Sequence, residues 1–130
     1  MPIKFEIREN GHVIYALGCD PISLADYEAN VQYDIAHRDS VPFRVHSLIN
    51  LSQVHKMPNG VLSIRNSPSF RHPRAGSIAM VGTNTMLHLF AETLMRLANF
   101  PPPKFFKTED EAWDYLHQII RAENVEAATS

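Results

Sequence analysis

The stretch HSLINLSQVHKMPNG, residues 46–60, runs from an apolar strand into a turn and carries His46, Ser52, His55 and Lys56. Those side chains admit three chemistries. Ser52 offers a hydroxyl for phosphorylation or attack, though a serine at a strand end also turns or caps the chain. His46 and His55, with His72, are potential metal ligands. Spacing argues against that: there is no HxH or HxxxH pattern, and no Asp or Glu lies between Ser40 and Ala91. Nucleophilic catalysis finds no support either, because the chain has no G-x-S-x-G elbow and Cys19 is its only cysteine.

The third chemistry is anion binding. Between Ser40 and Ala91 the chain carries Arg44, Lys56, Arg65, Arg71 and Arg74 and no acid; the remainder, with seven basic and fourteen acidic residues, is at −7. The net −2 argues against general nucleic-acid binding. His46, His55 and His72 can add charge to the basic stretch at mildly acid pH. The basic residues alternate with apolar Met57, Val61, Leu62, Ile64 and Phe70. A basic rim over an apolar floor suits an amphiphile with an anionic head, such as a fatty acid or phospholipid, at a membrane surface or free; it suits an acidic partner protein equally. In that reading Arg71 and Arg74, helped by Arg65 and His72, pair with carboxylate or phosphate while Met57, Leu62 and Phe70 cover a chain. The competing reading is that the apolar residues are core and the cations solvated. Gly82, Thr83 and Asn84 follow a strand and open a helix, where free N–H groups can meet an anion. They lack the lysine of a P-loop and the spaced glycines of a dinucleotide fingerprint, and read first as a turn with a polar N-cap.

The elements that must position these residues follow from periodicity. Ile3, Phe5 and Ile7 alternate with Lys4, Glu6 and Arg8 as in a half-buried strand, and Asn10-Gly11 turns the chain into a returning strand over 13–17. Ser23 caps a helix with Leu24, Tyr27, Val31 and Ile35 on one stripe and Asp26, Glu28, Gln32 and Asp34 mostly towards water. A strand over 43–51, a short helix at 61–64, an irregular segment to Gly76, a strand over 77–81, a helix over 85–98 and a short strand over 104–107 come next. Thr108 and Glu111 form a capping box for a last helix whose stripe is Ala112, Trp113, Leu116, Ile119 and Ile120. The order β-β-α-β-α-β-α-β-α predicts an α/β domain with a mixed, mainly parallel sheet covered by helices and an antiparallel edge. The helix over 85–98 has apolar residues on more than one face, enough for a homodimer contact, with Met95 as its test position, or for a lipid to cover.

The 130 residues are one domain's worth, read as 1–124 followed by a flexible tail over 125–130. A single cysteine, no apolar run near the ~20 residues of a membrane span and no signal-peptide pattern predict a cytoplasmic protein.

The element order, the SLINLSQV strand end, SIAMVG before a helix, and KFFKTEDEAWDYL at the end together resemble the SpoIIAA-like proteins, the STAS/SEC14-type relatives of bacterial anti-sigma-factor antagonists, over about residues 3–121. In the antagonists, an Asp-Leu-Ser-type strand end leads to an Asp-Ser-Ser-Gly-type turn whose serine is phosphorylated. Here the first reads Asn50-Leu51-Ser52 and the second falls on Pro58-Asn59-Gly60, without the acceptor serine. The resemblance implies the fold and a recognition face at this loop and the next helix, and leaves out the switch, which needs a hydroxyl. The sequence thus predicts a non-catalytic regulatory or ligand-binding module with no cofactor or metal. The alternatives are a phosphoregulated antagonist-type protein and a small enzyme with an unrecognised site.

Overall fold

The computed structural model describes residues 3–57 and 59–129, without the side chains of residues 128 and 129. Five strands form one sheet in the order β1-β2-β3-β4-β5: β1 Ile3–Arg8, β2 Val13–Cys19, β3 Val45–Gln53, β4 Ala75–Val81 and β5 Lys104–Phe106. The β1–β2 pair is antiparallel and the other three pairs are parallel, so the expected mixed, mainly parallel α/β sheet with an antiparallel edge is present. Arg8 pairs with Val13, making the hairpin loop four residues long; Glu9, Asn10 and Gly11 all have positive φ.

Three α-helices alternate with the strands among the described residues: α1 Leu24–Ser40, α2 Thr85–Leu97 and α3 Glu109–Thr129. Ser23 and Asp26 cap α1 reciprocally, each side chain accepting from the other's backbone N–H at 3.1 and 2.9 Å. Asn84 caps α2 by accepting from the Leu87 N–H at 2.8 Å. Thr108 Oγ1 accepts from the Glu111 N–H at 3.3 Å and donates to the Glu111 carboxylate at 3.1 Å. Helix α3 continues past Asn124, where the sequence places the start of a tail; Met1, Pro2, Pro58 and Ser130 lie outside the described residues. Among its described residues, the β3–β4 connection holds no α-helix. It is built from two 3-10 segments, Val61–Asn66 and Pro68–Arg71, because Pro68 and Pro73 lack the N–H that a continuing helix needs. No helix among the described residues is long and apolar enough to cross a membrane.

Alternation along the strands gives the sheet two unlike faces. On one, Val13, Tyr15, Leu48, Ala79 and Val81 pack against Ala112 and Leu116 of α3. Two polar ties fix that helix. At its start, Tyr15 Oη at 2.5 Å and Asn50 Nδ2 at 2.6 Å donate to Glu109 Oε2. At its far end, the fully buried His46 donates from Nε2 to Glu123 at 2.8 Å. His46 Nδ1 accepts from the Ser77 N–H at 2.9 Å, which fixes this tautomer. Gly76 makes room for the ring, since a Cβ there would collide with His46 and the Val45 carbonyl oxygen. Burial of His46 pushes its pKa down despite Glu123, so it is a structural tie and not the acid-responsive surface charge that the sequence suggests. The other face carries α1, α2 and the 3-10 segments.

Candidate functional site

That second face is hollow. Between the sheet, α1, α2 and the 3-10 segments lies a cavity of about 230 Å³. Its floor is the inward set of strand residues, such as Phe5, Ile14, Ala16, Ile49, Ile78 and Met80. Val31 of α1 and Leu87, Ala91 and Met95 of α2 form its walls, all less than a tenth exposed. Met57, Leu62 and Phe70, the three apolar residues expected to cover a chain, line it too, as do Val61 and Ile64. Phe70 packs against Phe100 with ring centroids 5.4 Å apart. Met95 is thus a wall of this cavity, 3% exposed, and not part of an outer surface; the exposed apolar residues of α2 are Met86, Leu89 and Leu97.

One part of the wall is polar. Arg38, 4% exposed, completes the inward stripe of α1. Its Nε donates to Asp34 Oδ1 at 2.7 Å, and its Nη2 to Asp34 Oδ2 at 3.3 Å and Ser47 Oγ at 3.1 Å. Its Nη1 donates to the carbonyl oxygens of Val45 and, at 3.2 Å, Arg74. A guanidinium has five N–H donors, and all five are occupied. Asp34 turns inward to neutralise it, against the expectation that it faces water; the i, i+4 spacing of Asp34 and Arg38 is the signal that announces the pair. Asp34, Arg38 and Ser47 all border the cavity. Tyr27, in the same wall, has its pKa pushed up by burial.

The remaining expected site residues fall into two groups at opposite ends of the strands. Ser52, His55, Gly82, Thr83 and Asn84 meet where the parallel strands end. Gly82, with φ +74°, lies so close to Ser52 that an added Cβ would be 2.6 Å from the Ser52 Cβ. Asn84 Nδ2 reaches the His55 carbonyl oxygen at 3.5 Å. His55 donates from its backbone N–H to Asp20 at 3.0 Å, and its ring bonds the same carboxylate at 2.7 Å, holding Asp20 below the usual carboxylate range. Asn50 Oδ1 accepts from both the N–H and the hydroxyl of the exposed Ser52, at 2.9 and 2.7 Å.

Arg71, His72 and Arg74 lie at the other end, just before β4. Seven residues of strand, about 23 Å at ~3.3 Å each, separate Arg74 from Gly82. His72 bonds Asp39 at 2.8 Å, and Arg74 Nη1 donates to the Arg38 carbonyl oxygen at 3.2 Å. Arg65 donates to the Leu62 carbonyl oxygen at 3.0 Å. Lys56 and Arg71 are exposed and make no ion pair among the described residues. None of these cations borders the cavity.

Sequence reasoning misses the Asp34–Arg38–Ser47 cluster and the Tyr15–Asn50–Glu109 ties. In the latter, burial pushes Tyr15 up to about 12. Burial also raises Glu109, but donation from Tyr15 and Asn50 outweighs it and holds the carboxyl below its ordinary value. No group of three or more His, Cys, Asp or Glu side chains suited to a metal occurs among the described residues. Comparison of the chain with protein-family models, curated proteins and solved structures finds no match.

Proposed function

We propose that the protein is a non-catalytic, STAS-like ligand-binding module that takes a small apolar molecule into the cavity beneath α1, α2 and the 3-10 segments. The observation that carries this reading is the cavity itself. Protein interiors rarely leave voids larger than a water. An apolar cavity of about 150 Å³ already binds benzene, and this one measures about 230 Å³. A ligand seated there would cover the apolar side chains that line it, a gain of roughly 25 cal/mol per Å² of apolar surface taken from water. The mixed, mainly parallel sheet with an antiparallel edge, expected from the SpoIIAA-like resemblance, supports the STAS-like assignment, while 3-10 segments stand where a helix was expected between β3 and β4.

The test is titration with n-butylbenzene, followed by NMR shifts of Ile49, Leu87 and Phe70, in the native chain and in Ala16→Phe. The added ring should occupy the cavity and abolish the shifts. Saturable shifts that persist in the variant, or that map away from these residues, would sink the proposal.

A second reading concerns the outer surface. Exposed Lys56 and Arg71, in a stretch without acids, favour contact with an acidic partner or an anionic membrane surface. Charge reversal at both positions should then abolish sedimentation with phosphatidylserine-containing vesicles while leaving butylbenzene binding intact. Equal sedimentation of the two proteins would count against it.

A further inference from the structure

The polar part of the cavity wall specifies what kind of molecule the cavity accepts. Asp34 and Arg38 cancel in charge, and every guanidinium N–H already has an acceptor. A carboxylate or phosphate entering the cavity would find no free cation and no free N–H of Arg38, and would lose its hydration. Two serine hydroxyls in the wall, beside the Tyr27 hydroxyl, differ. Ser47 Oγ accepts from Arg38 and keeps its own proton to donate. Ser69 Oγ, in the second 3-10 segment, is buried with no partner. A buried, unpaired hydroxyl is costly unless something accepts from it.

We infer that the cavity takes an uncharged amphiphile, an aliphatic or aromatic body bearing one carbonyl or hydroxyl oxygen that accepts from Ser69 and Ser47, and rejects the corresponding carboxylate. The inference rests on the cavity being the ligand site. It separates the cavity from the surface cations: an anionic head belongs, if anywhere, outside.

The experiment compares n-butylbenzene, 2-octanone and octanoate at pH 8, where octanoate is fully ionised, by NMR titration of the native chain and of Ser69→Ala and Ser47→Ala. The expected result is that the hydrocarbon and the ketone bind and octanoate binds at least ~100-fold more weakly. Ser69→Ala should weaken the ketone by about two- to tenfold and leave butylbenzene unchanged, the change expected for one neutral hydrogen bond. Ser47→Ala should act in the same direction, with butylbenzene again reporting whether the cavity is intact. Octanoate binding within a factor of ~100 of the ketone would overturn the exclusion of charge. An unchanged ketone affinity in both serine variants would overturn the role of the hydroxyls. Failure of all three probes to bind would overturn the cavity as a ligand site, a result distinct from the other two.

Discussion

Replacing Arg38 with methionine tests whether the polar cluster is closed on itself. The substitution keeps most of the stem volume and removes five hydrogen bonds, leaving the Val45 carbonyl, Ser47 and the Asp34 carboxylate without that donor, while the Arg74 carbonyl keeps the Val45 N–H at 2.9 Å. Breaking a buried ion pair from one side costs about 3–5 kcal/mol. The Asp34 side chain is 17% exposed, so water compensates in part and the lower end, about 3 kcal/mol, is expected. With a urea slope of about 2 kcal/mol per M, the unfolding midpoint should fall by roughly 1.5 M. Asp34→Leu alone should also destabilise, because it strands a guanidinium that is 4% exposed. The double variant Arg38→Met, Asp34→Leu replaces the pair by hydrocarbon and should cost far less than the two changes summed, with a coupling of about 2 kcal/mol or more. A loss below about 1 kcal/mol for Arg38→Met, or simple additivity, would refute the reasoning. Arg38 would then be a solvated cation with donors to spare, and the cavity would be open to anions after all.

Two further outcomes follow from the packing. His46 is held below its ordinary 6.5 by burial, so the unfolded chain binds a proton more readily. Stability should therefore fall as pH drops from about 6.5 towards the folded value, by at most about 1.4 kcal/mol per pH unit. Urea midpoints at pH 7.5 and 5.5 should diverge less in His46→Gln, and equal divergence would remove His46 as the cause. Gly82→Ala forces a side chain into a left-handed conformation and against Ser52, and should cost at least about 1–2 kcal/mol by thermal unfolding. A neutral result would mean that the β3 and β4 ends separate easily.

The strands and caps were legible because their signals are local. Alternation in Ile3–Arg8, Ser23 three residues before Asp26, and Thr108 three before Glu111 each specify an element with no knowledge of the rest. The apolar lining at Met57, Leu62 and Phe70 was legible as apolar residues interleaved with the basic ones. What escaped depended on distance in sequence. Arg38 reaches Val45, Ser47 and Arg74, and Tyr15 reaches Glu109, so burial of these groups becomes visible only once the sheet is assembled. The basic residues between Lys56 and Arg74 look like one rim in sequence. The crossover carries them from one end of the strands to the other, so Ser52 and Gly82 stay together while Arg71 and Arg74 are left behind.

The unlike faces of the sheet also bear on how such a protein can change over generations. The filled face, with α3 tied at both ends, does not depend on which side chains line the hollow one. Exchanges among Leu62, Ile64 and Phe70, on short 3-10 segments outside the sheet ladder, can reshape the cavity without disturbing strand register. A lineage with this architecture can therefore vary the lining of its hollow face in single steps while the heritable scaffold stays the same.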